Sequence, residues 1–436
     1  MAKQIEVLYG PASALYGADA FAGVINIISK TADDVTAEAS LSAGLYGKYV
    51  GNIILGNRFN DKVSFTLSGQ YSYDEQPNLS NFYEEEFAGI DSLESGNFST
   101  ISGPRKPNSL VEPQYSIPIS NYAFQGTLRF EELLGRDDLR LNFFQNESRA
   151  PSVAGMNPNN AVYNANNFMS HRVQMFNLNY QKRVNSDWSI NTLVTASRYR
   201  LDPESGFQNV YTQMERTYRF ATGRMFQIEQ LVTWNPASLS NLSIVAGFTY
   251  QNFNSRPLSV DLFAPTRDFQ NPSGIWFNTV VNEPFLAEAN RRPEGVAATF
   301  FELNYTNIGG FVQAQYAPWA DDDRLLLTVG GRIDRNSRFN LEFNPRVGLV
   351  WAPWRGRASA WNGAIFKFVF GRAFLEPSPH RTFEQFGTFS SAFNFDANLN
   401  VTSVDYRADL IHQPNAELQP QEARTFELSF QNSFNE

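Results

Sequence analysis

From about residue 35 onward, the chain breaks into segments of roughly ten to fifteen residues in which apolar and polar side chains alternate. A period of two is the signature of a strand whose two faces meet different surroundings. Val63, Phe65, Leu67, Tyr71 and Tyr73 share one face, opposite Ser64, Thr66, Ser68, Gln70 and Ser72. Tyr122, Phe124, Leu128 and Phe130 oppose Gln125, Thr127 and Arg129, and Phe176, Leu178 and Tyr180 oppose Asn177, Asn179 and Gln181. Near the end, Phe426, Leu428 and Phe430 oppose Thr425, Glu427, Ser429 and Gln431. Faces this rich in Gln, Asn, Arg and Glu cannot close on a dry core without leaving polar groups unsatisfied. They suit a wall with water on one side and lipid on the other.

The connections between these segments alternate in length. Short, turn-like ones lie at Phe59-Asn60-Asp61-Lys62, 134–138, 184–187, 235–241, 317–323 and 352–358. The others are mostly longer and irregular and cover about 75–118, 149–167, 201–215, 253–302 and 373–418. Short turns at one end and long loops at the other are how outer-membrane barrels are built. The fold class expected is therefore all-β, a membrane-spanning antiparallel barrel of about fourteen strands. Trp188, Trp234, Trp319, Trp351 and Trp354 all fall beside the short turns. They fit an interfacial girdle; ordinary packing at strand ends is the plainer explanation.

Composition agrees. Aromatic residues make up 14% of the 436-residue chain and charged residues only 18%, yet mean hydropathy is negative at -0.36. No apolar run approaches the roughly 18 residues of a spanning helix. The absence of cysteine excludes disulfides and thiolate chemistry. A net charge of -9 argues against nucleic acid as a partner. No nucleophile elbow, zincin pair or phosphate loop occurs, so an enzyme is not expected, nor a cofactor or metal site. The first residues, MAKQIEVLYG, contain no signal-peptide core, so an export signal is expected upstream.

Residues 4–30, QIEVLYGPASALYGADAFAGVINIISK, break the barrel pattern. Ile5 to Leu8 is a short strand, Gly10-Pro11 a turn, Ala12 to Tyr16 a helical turn and Val24 to Ile28 a buried strand. Taken alone this is a glycine-punctuated αβ hairpin. The run resembles the end of the plug domain of TonB-dependent outer-membrane receptors, on Gly10, Pro11, Ala14, Tyr16, Gly17, Gly23, Val24 and Asn26. Tyr9 departs from it, standing where many relatives carry a basic residue. Three later stretches are similar to passages of the same barrels: Gly330 to Trp351, Phe370 to Pro379 and Asn415 to Gln431, the last departing at Ala416 and Gln421.

The resemblance implies residues 1–33 as a plug remnant and 34–436 as a partial barrel. Such receptors use about twenty-two strands, so the chain is expected to be a fragment; a smaller barrel closing with about fourteen is the alternative. It further implies the outer membrane of a Gram-negative bacterium, contact with its lipid, and TonB as a partner through a part not present here. The implied activity is uptake of a scarce small molecule or metal chelate: an iron–siderophore, haem, cobalamin or similar. A passive porin and a surface adhesin remain as alternatives.

For ligand contact the sequence offers His380, Arg381 and His412 in the loop at 373–418, and the loop aromatics Trp276 and Tyr83. Phe82, Phe277, Phe386, Phe389 and Phe393 belong to the same set. Each could equally be an ordinary loop residue, and His171, at a strand start, is expected to be a solvated loop-edge residue. Arg129, Arg332, Asp334, Arg346, Lys367 and Glu427 are expected to face the lumen, as internal ion pairs or as a field that steers an anionic ligand.

Overall fold

The structure is a computed structural model, and it describes residues 2–9, 17, 20, 23–87, 98–100, 103–105, 116–152, 165–202, 204–207, 217–262, 303–319, 324–353, 363–378, 386–395, 401–412 and 418–432. The chain opens with β1 (Ala2–Tyr9) and β2 (Gly23–Ser29), followed by β3 (Ala37–Ala43), β4 (Tyr49–Asn60) and β5 (Val63–Asp74). A small hairpin, β6 (Phe98–Thr100) and β7 (Gly103–Arg105), precedes β8 (Ile119–Glu131), β9 (Asp137–Pro151), β10 (Phe168–Arg183) and β11 (Trp188–Leu201). Next come β12 (Gly206–Phe207), β13 (Thr217–Trp234), β14 (Leu242–Leu262), β15 (Leu303–Tyr316) and β16 (Leu325–Asn336). The last are β17 (Glu342–Trp351), β18 (Ile365–Leu375), β19 (Phe386–Phe395), β20 (Val401–His412) and β21 (Gln421–Gln431).

Fourteen of these strands pair antiparallel in one sheet, in the order β21-β18-β17-β16-β15-β14-β13-β11-β10-β9-β8-β5-β4-β3, with β12 beside β13. Except across the β6–β7 and β19–β20 hairpins and β12, neighbours in the sheet are neighbours in sequence, so the wall is an up-and-down meander. Its edges, β3 and β21, do not pair with each other. The sheet is open, in keeping with an incomplete set of strands. Backbone groups on such edges must find partners before they can persist in hydrocarbon. Among the described residues, no helix is long and apolar enough to cross a membrane.

Register converts the sequence alternation into two surfaces. Leu67, Phe124, Phe143, Phe176, Phe226, Ile228, Phe248, Val312, Val329 and Val347 lie on the outer face and are exposed. On edge strand β21, Leu428 reaches 83% exposure. So much uncovered apolar surface is incompatible with water and expected against acyl chains. Ser64, Ser68, Thr195, Thr249, Asn307, Arg332, Asp334 and Asn344 lie buried on the inner face. The two faces divide as the sequence alternation requires.

At the short-turn end, Trp188 and Trp234 stand opposite each other in register on the outer face and stack at 5.6 Å. Trp351 packs on Phe366 at 5.6 Å, and Trp319 is exposed nearby in sequence to the turn before β16. This is the geometry an interfacial girdle requires. Trp354 lies outside the described residues.

Three local expectations are corrected. β2 is not a buried strand: Ile25 and Ile27 are 68% and 62% exposed, and on its partner β1 Ile5 and Val7 are exposed too. A two-stranded ribbon has two faces, and no described element covers this apolar one. His171 is not at a loop edge: it is the fourth residue of β10, half-buried on the inner face, with Nδ1 2.7 Å from the Tyr199 hydroxyl. Inner-face parity places it opposite Leu201 and beside Tyr199. The loop at 373–418 is not wholly irregular, because β18 runs to Leu375 and β19 pairs with β20 inside it.

Candidate functional site

The inner face of β15, β16 and β17 carries a dense polar cluster. Strand parity turns Asn307, Arg332, Asp334, Asn336 and Asn344 to one side, and all five are buried. Arg332 Nε donates to both carboxylate oxygens of Asp334 at 2.9 Å, and Nη2 lies 2.8 Å from Oδ1. The bidentate fork fixes the guanidinium against the carboxylate on the lumen side of the sheet. Gly309, on the neighbouring strand, leaves the space for it: a Cβ there would collide with Asp334 Oδ1 and Arg332 Nη2. Close by, Asn336 Nδ2 donates to Glu376 at 3.3 Å, and Arg338 lies over the Tyr305 ring and donates to the Pro377 carbonyl at 2.8 Å.

The amino-terminal ribbon meets this wall from inside. Gly17, buried and at φ +86°, sits where a Cβ would touch Arg332 Nη2 at 3.4 Å. Only a residue tolerant of the left-handed region fits there without strain. At the other end of the ribbon, Gln125 Nε2 donates to Ser29 Oγ at 3.3 Å. The stretch that leaves the ribbon is tied down by charge. Lys3 pairs with Asp34 at 2.6 Å, and Arg58 bridges Asp33 and Glu131 at 3.1 and 2.8 Å. Thr31 donates through both its backbone N–H and its hydroxyl to Asp34. Lys3 and these Thr31 bonds hold the Asp34 carboxyl at about 2, well below the usual range.

The expected lumen charges all lie on the inner face. Arg129 is paired with Asp138 and Glu131, Arg332 with Asp334, and Lys367 with Glu427 at 2.9 Å. Arg346 shares that face by register, between Gly330 and Gly371. Most of this charge is therefore spent within the wall as ion pairs. What sequence reading missed is the joint between ribbon and wall: Gly17 against Arg332, Ser29 against Gln125, and Asp33 against Arg58. The available signal was parity, since Arg58, Gln125 and Arg332 all occupy inner positions of their strands.

Of the plug motif, Gly17 is brought to the wall, and Gly23, Val24 and Asn26 form β2, with Asn26 Nδ2 donating to Glu6 at 2.9 Å. Gly10, Pro11, Ala14 and Tyr16 lie outside the described residues. So do His380, Arg381, Trp276 and Phe277. His412 is the last residue of β20, opposite Phe386 at the first position of β19; of Phe386, Phe389, Phe393 and His412 the backbone alone is described. Tyr83 and Phe82 are exposed beside a short helix, Glu84–Phe87, in the connection after β5, and Phe82 meets Tyr46 edge-on at 6.3 Å.

Comparison with known proteins follows the same lines. The model of the family described as "TonB dependent receptor-like, beta-barrel" matches residues 114–436. Among curated proteins, the vitamin B12 transporter BtuB of Vibrio vulnificus is 29% identical over 136 residues, which is 29% of this chain and 22% of that protein. Among solved structures, the ferric enterobactin receptor PfeA of Pseudomonas aeruginosa matches with a TM-score of 0.64 at 14% identity, over 100% of this chain and 56% of that one. The siderophore receptor PirA of Acinetobacter baumannii matches at 0.58 and 13%, over 98% and 55%. The chain thus spans little more than half the length of the solved structures it matches, and those likenesses speak for the fold.

Proposed function

As this chain belongs to the family of TonB-dependent receptor-like β-barrels, located in the outer membrane of Gram-negative bacteria, we propose that it serves energy-coupled uptake of a scarce small molecule. The observation that carries the proposal is the ribbon β1–β2 held inside the wall against Gln125 and Arg332. In this reading residues 1–33 are the end of a plug and 34–436 the wall around it. A passive porin would lack such a plug.

The chemistry required is binding and gated passage, with no covalent bond broken in the ligand. The ligand would be captured at the long-loop end, where Tyr83 and the hairpin β19–β20 lie in sequence. TonB, energised from the inner membrane, would then draw on the plug. The joint described above suits such a device. Among the described residues its contacts are few, polar and separable, so displacement of the ribbon need not unfold the wall. An iron–siderophore, haem or cobalamin is the proposed ligand class; relatives named for vitamin B12 and ferric enterobactin support that range. His380, Arg381, His412, Trp276 and Tyr83 are proposed as its contacts.

The test is accumulation of radiolabelled ferric catecholate, ferric hydroxamate, haem and cobalamin by cells producing the full-length protein, with and without TonB. Uptake of one ligand, lost without TonB, is expected. Entry that is indifferent to TonB, or entry of all small solutes alike, would replace the proposal with a passive channel.

A further inference from the structure

We propose that the outer face of β10, β11 and β13 carries a binding site for a phosphate-bearing lipid headgroup of the outer leaflet. Register sets arginines directly opposite one another on this face. Arg172 pairs with Arg200, and one row nearer the membrane Arg198 pairs with Arg224. Cβ atoms of directly opposed residues stand about 5 Å apart, and like charges so placed destabilise a sheet. Among the described residues a single carboxylate answers these four cations: Glu147 accepts from Arg172 Nε at 2.5 Å and from the Tyr122 hydroxyl at 2.5 Å. Among the described residues, Arg198, Arg200 and Arg224 meet no carboxylate, and Arg198 and Arg224 are exposed.

Position selects the partner. The row below the Arg198–Arg224 pair is apolar, with Phe143, Phe176, Ala196 and Phe226 in register and all exposed. The row containing the pair is continuous and polar, running Gln145, Gln174, Arg198, Arg224 and Asn254, with Gln174 Nε2 donating to Gln145 at 2.8 Å. Trp188 at the opposite interface lies ten residues from Arg198 on the same strand and face. Ten residues of strand span about 34 Å, or about 25 Å across the membrane at the tilt usual in barrels, which is the height of the apolar band. The guanidiniums therefore lie in the headgroup layer, at the long-loop and hence outward end. A planar guanidinium binds phosphate oxygens bidentately, and paired arginines offer two such forks to one phosphate. A phosphate there would also relieve the like-charge opposition. The inference depends on the orientation of the wall and not on what it imports.

The experiment uses the full-length protein, extracted from outer membranes, stripped of lipid and placed in nanodiscs of neutral phospholipid. Binding of bisphosphorylated lipid A is compared with that of the same glycolipid after removal of its phosphates, with inorganic phosphate as competitor. The phosphorylated form is expected to bind at least about tenfold more tightly. Arg198→Gln/Arg224→Gln is expected to abolish that preference, and Arg198→Lys/Arg224→Lys to retain most of it. Equal affinity for the two lipids would overturn the inference whatever the variants do. Displacement by inorganic phosphate would overturn it too, since the site would then be one for free anions, as would an unchanged preference in a folded glutamine variant.

Discussion

Arg332 and Asp334 are two residues apart on one strand, face the same side, and form a bidentate ion pair with side chains only 3% and 0% exposed. The pair is deeply enclosed, and a Cβ added at Gly17 of the amino-terminal segment would meet Arg332 Nη2 at 3.4 Å, so the seating of that segment is expected to bear on the stability of the wall. Breaking one partner of such a pair strands the other charge.

Asp334→Ala is therefore expected to cost about 3–5 kcal/mol in denaturant unfolding of the detergent-solubilised protein. Replacing both partners, Arg332→Met with Asp334→Leu, should recover most of the loss, because no unpaired charge remains. If the single and double variants unfold at the same denaturant concentration, the pair is not buried as described.

Gly309→Ala should behave as a member of the same unit. The added Cβ collides with Arg332 and Asp334, so the change should destabilise the wild-type chain and much less so the Arg332→Met/Asp334→Leu variant. A double-mutant cycle with a coupling of about 1 kcal/mol or more is expected. Additive losses would mean that the glycine answers to something else.

Acid should loosen the anchor of the ribbon at a low pH. The Asp34 carboxyl is held down to about 2 by Lys3 and by Thr31, against an ordinary 3.8. Its folded value lies below its unfolded one, so its stabilising contribution is complete above about 4 and is lost as pH falls through 2. Unfolding midpoints of wild type and Asp34→Asn should differ at pH 5 and converge near pH 2. A difference that persists unchanged below pH 2 would contradict this.

The stacked pair Trp188–Trp234 should anchor the short-turn end in the headgroup layer. Its emission should be quenched by spin labels near the lipid headgroup and spared by labels at the acyl terminus. Trp188→Ala should cost about 0.5–1.5 kcal/mol beyond lost area, since the stack goes with it. Deep quenching in place of shallow would move the turns away from the interface.

Much of the wall is legible in the sequence because the pleat fixes side-chain direction two residues at a time. Once Phe65 and Leu67 are assigned outward, Ser64 and Ser68 must lie inward, and burial follows. Pairing across strands is not legible in the same way. Nothing local in Arg198 or Arg224 announces that they face each other, because register is set by turn lengths some ten residues away and by the strands on either side. The β19–β20 hairpin is not legible because Ser390, Ser391, Ala392 and Asn394 carry no strong alternation. β2 reads as a buried strand because Val24 to Ile28 is apolar, and that pattern states what a strand would cover without saying whether a partner is at hand. The ligand contacts stayed unread for a different reason: loop aromatics and histidines have no periodicity to betray their neighbours.

The two-faced wall can be tested residue by residue, because a chain without cysteine accepts single labels unambiguously. Spin labels placed in turn at Met225, Phe226, Gln227, Ile228 and Glu229 of the membrane-inserted protein should respond alternately to two collision reagents. Labels at 226 and 228 should be relaxed by oxygen dissolved in lipid, and those at 225, 227 and 229 should be shielded from it and reached, if at all, by a water-soluble nickel chelate. A uniform response along the five positions, or oxygen access at 227 with none at 226, would contradict the account.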